Sequence, residues 1–123
     1  MKNVFINKQK VQVYPNQKLI KIHKEDDAQT NFNYINNAIK DLSCDSFALY
    51  MFLYGIDNNT VYALSSAYMY ENSALTKRTY TKAVNELIDK GYLVKGELVT
   101  DNDEVIIENV YNFYSNLDTK ESK

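Results

Sequence analysis

The chain has 123 residues, is 45% hydrophobic and carries a formal net charge of −2, the profile of an ordinary soluble domain rather than a disordered or strongly polyanion-binding one. Its single cysteine, Cys44, excludes an internal disulfide, and its longest apolar run, Phe47 to Tyr54, is too short to cross a bilayer. No secretory leader is evident at the start, so the expectation is one cytoplasmic domain with no membrane partner. The charge is sorted along the chain. Residues 1–24 sum to +6, 25–72 to −6, 73–96 to +3 and 97–123 to −5, which permits one positive face on a near-neutral molecule.

In chain order, NVFINKQKVQVYPNQKLIKIHK alternates apolar and polar residues through Val4, Ile6, Val11, Val13 and Leu19, with breaks at Asn7 to Lys10 and Pro15 to Gln17. Two or three short strands are predicted there. EDDAQT reads as a charged loop. NFNYINNAIKDL then sets Phe32, Ile35, Ala38, Ile39 and Leu42 at helical spacing on one face. SCDSFALYMFLYG predicts a second helix, capped by Ser43 or Asp45 and ended by Gly55, apolar nearly all round and therefore central. IDNNT reads as a loop.

Two capped helices follow. LSSAYMYENSA opens on Ser65 as N-cap, and LTKRTYTKAVNELIDKG opens on Thr76 and closes at Gly91, which suits a left-handed residue past the helix end. Tyr80, Val84, Leu87 and Ile88 form the core-facing stripe of the second. Its other face holds Lys77, Arg78, Thr81, Lys82 and Asn85. Beyond it, Tyr92 to Val94 and Val105 to Ile107 read as strands around turns at Lys95-Gly96 and Asp101 to Asp103. One core is expected to unite Phe47, Leu49, Phe52, Leu53, Leu64, Ala83, Val84, Leu87, Ile88 and Leu93.

The order of a buried helix, LSSAYMYENSALTKRTYTKAVNELIDKGYLV and a hairpin resembles the winged helix-turn-helix domains of small phage and plasmid regulators and replication initiators. The likeness spans about residues 31–110 and is most specific in LTKRTY and ELIDKGYLV. It implies an α+β fold, a winged helix-turn-helix with an N-terminal β-hairpin or short strands: residues 1–30 as N-terminal strands and loop, 31–96 as the helical core, 97–123 as wing and C-terminal segment. It further implies sequence-specific binding of double-stranded DNA by a protein of a phage or other mobile element, as transcription regulator or replication accessory. A helix entering the major groove by its N-terminus brings free N–H groups and first-turn side chains to the duplex. Thr76, Lys77, Arg78, Thr79, Thr81, Lys82 and Asn85 are the candidate contacts: Arg78 for guanine, Asn85 for adenine, Thr79 or Thr81 for phosphate. Lys8, Lys10, Lys18, Lys21 and Lys24 add phosphate contacts if their strands lie beside that helix.

The acidic blocks support a different class of function. A phage-encoded inhibitor, such as an anti-CRISPR protein, uses acidic surface to occupy the basic channel of a host nucleic-acid-binding protein, and Asp57, Glu71, Glu97, Asp101, Asp103, Glu104 and Glu108 are its candidate contacts. Enzymatic chemistry finds no footing. One histidine (His23) and one cysteine cannot build the usual zinc site, and Gly55, Gly91 and Gly96 form no phosphate loop, so no metal, cofactor or catalytic residue is expected. In the tail, NVYNFYSNL sets Val110, Phe113, Tyr114 and Leu117 on one face, which predicts a homodimer through that stripe.

Overall fold

The apolar alternation at the two ends of the chain is resolved in one sheet with both faces covered. The computed structural model describes residues 2–13, 17–25 and 27–117; the expected break at Pro15 falls outside them. Strands β1 (Lys2–Ile6), β2 (Gln9–Val13) and β3 (Lys18–His23) precede helices α1 (Ala28–Asp41) and α2 (Cys44–Tyr54). Strand β4 (Val61–Leu64) leads to α3 (Ser66–Asn72) and α4 (Lys77–Lys90). Strands β5 (Leu93–Lys95), β6 (Leu98–Val99), β7 (Val105–Ile106) and β8 (Val110–Tyr114) complete a mixed α+β fold.

The main sheet runs β4-β3-β8-β5, with β3 parallel to β8 and both outer pairs antiparallel. Because side chains alternate across a strand, Ile20 and Ile22 of β3, Leu64 of β4 and Phe113 of β8 face the helices in the main core. Leu19, Val61 and Val110 face the other way, into a second cluster closed by Val4, Ile6 and Val11 of the β1–β2 hairpin and Leu98 of the β6–β7 hairpin. Adjacent residues of β3 thus anchor the two clusters.

The helices are set by local chemistry. Ser43 accepts the Ser46 N–H at the start of α2. The central residues Leu49, Tyr50 and Leu53 are fully buried, as expected of a helix apolar all round. Tyr50 satisfies its hydroxyl by donating to the Ser115 carbonyl at 2.7 Å, and burial holds its phenol far above the ordinary value of 10.0. All ten residues expected in one core lie in or against the main cluster.

Four expectations need correction. Helix α1 starts earlier than Asn31, because Asp27 is its N-cap and accepts the Thr30 hydroxyl at 2.7 Å and the Thr30 N–H at 2.8 Å, bonds that hold its carboxyl below the usual value. Within α1 only part of the supposed stripe is inward: Ala38 and Leu42 are buried, while Phe32 and Ile39 are exposed. VYAL, read past in the sequence, is the edge strand β4. Lastly, the tail is a strand and not a free apolar stripe. Val110, Phe113 and Tyr114 are buried in the chain's own sheet, so the surface offered for a homodimer is already occupied. With the tail in the sheet, the expected hairpin of Tyr92 to Val94 with Val105 to Ile107 does not form: β5 pairs with β8, and Val105–Ile106 pairs with β6.

Candidate nucleic-acid interface

Helix α4 is fixed at both ends by residues next to it in sequence. At its start Thr76 and Thr79 form a reciprocal capping box: Thr76 N–H donates to Thr79 Oγ1 at 2.7 Å, and Thr79 N–H donates to Thr76 Oγ1 at 3.3 Å. At its end Gly91 takes φ 91°, with Gly91 N–H donating to the Ile88 carbonyl and Tyr92 N–H to the Leu87 carbonyl. That is a Schellman ending. The turn from α3 is equally tied, since Ser73 Oγ donates to the Met69 carbonyl and accepts the Leu75 N–H while Leu75 is buried below it.

Between those ends the helix is divided cleanly. Tyr80, Ala83, Val84 and Leu87 are buried, and burial pushes the Tyr80 phenol up to about 12. Thr76, Lys77, Arg78, Thr81, Lys82 and Asn85 are exposed, so the structure brings six of the seven candidate residues onto one open surface. Thr79 is half-buried and belongs to the cap. Its hydroxyl and that of Thr81, which donates to the Lys77 carbonyl at 2.8 Å, serve the helix's own backbone. A phosphate contact through either would have to break that bond.

The acid nearest Lys82 on α4 is held by another helix. Glu86 turns away to the N-terminus of α2, where it accepts the Ser43 N–H at 2.9 Å. That bond holds its carboxyl below the ordinary 4.5. Lys90 pairs instead with Asp41 at 3.0 Å. Among the described residues no ion pair engages Lys77, Arg78 or Lys82. Nothing in sequence announced the Glu86 bond, which joins residues on two helices far apart in the chain.

The remaining candidates lie elsewhere. Lys8 belongs to the β1–β2 turn and Lys10 to β2, on the sheet face opposite α4. Lys21 points to that same face. Lys24 donates to the Tyr54 carbonyl at 2.7 Å and lies over the Tyr54 ring. Lys18 pairs with Leu64 and shares the helix-bearing face. Most of the N-terminal lysines therefore do not extend the α4 surface. Tyr68 and Tyr70 of α3 stay largely exposed, Tyr70 meeting Tyr80 edge-on at 5.7 Å. His23 is hydrogen-bonded to Asn112 at 2.9 Å and stacked on Tyr114.

The seven acidic candidates are all exposed but do not share one surface. Asp57 follows α2 and Glu71 sits on α3. Glu97, Asp101, Asp103, Glu104 and Glu108 flank the β6–β7 hairpin. Asp101 is tied down, accepting the N–H groups of Asn7 and Lys8, each at 2.8 Å. Among the described residues no three His, Cys, Asp or Glu side chains converge as metal ligands, and no helix is long and apolar enough to cross a membrane. Comparison of the chain with protein-family models, curated proteins and solved structures finds no match in any of the three.

Proposed function

We propose that this chain is a sequence-specific DNA-binding protein, a regulator or replication accessory, that lays α4 in the major groove from a scaffold of the winged helix-turn-helix kind. The observation that carries the reading is the trio Lys77, Arg78 and Lys82, exposed on the first two turns of the second helix of a turn-linked pair and, among the described residues, in no ion pair. The order in which buried α2, the α3–α4 pair and a hairpin follow one another supports the scaffold. At the α4 N-terminus the first helical N–H groups have no partner within the helix, and the dipole's positive end adds to the lysines and arginine. Phosphate contacts then position the helix. Arg78 and Asn85 supply base contacts to guanine and adenine edges.

The test is selection of a duplex from a random pool on the full chain, followed by salt-titrated fluorescence anisotropy. Binding should weaken with salt, the slope of log K against log salt being about −0.9 per phosphate contact. Arg78→Ala should cost about 1–3 kcal/mol on the selected duplex. Lys82→Ala should weaken all duplexes alike and reduce the salt slope by about 1. Both variants should keep the native circular dichroism, since both side chains are exposed. Absence of binding by the native chain even at low salt overturns the reading, and so does a silent Arg78→Ala.

A further inference from the structure

The two outer strands of the main sheet, β4 and β5, end it differently. In β3 the Ile22 N–H donates to the Thr60 carbonyl at 3.0 Å. Antiparallel partners exchange hydrogen bonds at every second pair, so the register of Ile20 with Tyr62 and of Lys18 with Leu64 commits the backbone groups of Tyr62 and Leu64 to β3. The intervening residues of β3 serve its other neighbour: Leu19 N–H donates to the Asn109 carbonyl, and the His23 carbonyl accepts the Ser115 N–H. That phase turns the N–H and C=O groups of Val61 and Ala63 outward, away from the sheet. Strand β4 has no neighbour beyond β3, and among the described residues no hydrogen bond takes up those outward groups.

Open edges are ordinarily blunted by charge, by proline or by a covering element. Strand β5 carries Lys95. Strand β4, VYAL, has neither charge nor proline. Its outward groups open on a cleft of about 310 Å³, with Val61 and Ala63 on one wall and residues 9–12 of β2 on the other. On the helical side the edge is flanked by aromatic rings: Tyr62 meets Phe52 at 5.7 Å and Phe52 meets Tyr68 at 6.2 Å, with Tyr68 48% exposed. Donors and acceptors alternating along a strand are complemented by another extended backbone, whereas a helix has spent its own groups internally. We propose that the β4 edge binds an extended segment of a second protein as a further strand of the sheet, bonded to Val61 and Ala63 and setting apolar side chains at alternate positions against Tyr62 and Tyr68. A second copy is the poorer occupant. Pairing β4 with β4 about a two-fold axis would bring both β2 walls, each with an exposed Lys10, to one cleft. The site is separate from α4 and does not rest on DNA binding.

The test is selection of short random peptides displayed against the immobilised full chain, then titration of the enriched peptide and of copies each N-methylated at a single backbone nitrogen. Because an added strand bonds through every second residue, methylation at alternate positions should weaken binding by about tenfold or more, and at the intervening positions it should be silent. On binding, the Val61 and Ala63 amide protons should become slow to exchange, whereas that of Tyr62 is already held by β3. Ala63→Pro removes an outward N–H, a position at which an edge strand tolerates proline; it should abolish peptide binding and keep the native circular dichroism. If that variant unfolds, the methylation series and the exchange pattern decide on the native chain. Enrichment of no peptide, a methylation series without alternation, or protection that misses Val61 and Ala63 overturns the proposal. So does sedimentation showing a dimer that Ala63→Pro dissociates, which would give the edge to a second copy.

Discussion

Glu86 decides how the charged face of α4 is read, because from sequence it stands one turn before Lys90 and one turn after Lys82. Such i, i+4 spacing ordinarily makes a solvated ion-pair ladder. In the fold its carboxylate instead meets the first turn of α2 through the Ser43 N–H, where a negative charge is also favoured by the helix dipole. The bond depresses the Glu86 carboxyl below 4.5, so near that pH the folded chain binds fewer protons than the unfolded one. Its stabilisation is complete above the ordinary value and is lost as pH falls through the depressed one. Glu86→Gln should therefore lower stability at neutral pH by about 0.5–1 kcal/mol, a modest figure because the side chain is partly solvated. The gap to the native chain should close in acid. Urea midpoints at neutral pH and well below 4.5 measure it, and a gap that stays constant with pH would mean that the charge is irrelevant.

Elements whose ends are fixed by neighbouring residues were legible; those fixed by distant strands were not. Thr76 and Gly91 bound α4 as expected, and the Gly91 φ of 91° explains why glycine stands there. Gly91→Ala should cost about 1–2 kcal/mol, the penalty of a Cβ in the left-handed region. An unchanged denaturation midpoint would show that the Schellman ending is not what holds α4 against β5. By contrast, the pairing of Leu19 with Val110 and of Ile22 with Phe113 joins opposite ends of the chain in parallel, and no local pattern specifies that register. The tail accordingly reads, from sequence, as a free stripe. Asp27 is hidden in sequence for a related reason, since a cap lying in a run of acids looks like any solvated loop. On α4 the exposed cations were legible from periodicity alone. That Thr79 serves the cap and that Glu86 serves α2 depended on side-chain geometry that spacing does not contain.

At the scale of the whole molecule, the main sheet separates the α4 helix and its cations on one side from the two hairpins that close the second cluster on the other. Tyrosine rings are part of what packs the helical side. Tyr50 lies against Tyr54, Tyr92 and Phe113, while Tyr62 meets Phe52 and Tyr80 meets Tyr70. Burial raises the phenols of Tyr50, Tyr54, Tyr62, Tyr80 and Tyr92 above 10.0, with Tyr54 and Tyr80 reaching about 12. Above 10.0 the unfolded chain releases protons that the folded chain retains, so the stabilisation is full below 10.0 and drains away as pH climbs through the raised values. The five groups share one core and should release together. The expected outcome is a steep base transition in which phenolate absorbance and loss of circular dichroism coincide between about pH 10 and 12. If all eleven tyrosines ionised gradually while the dichroism stayed native, water would have to reach the Tyr50 cluster in the folded chain, and the helical layer could not be sealed against the sheet as described.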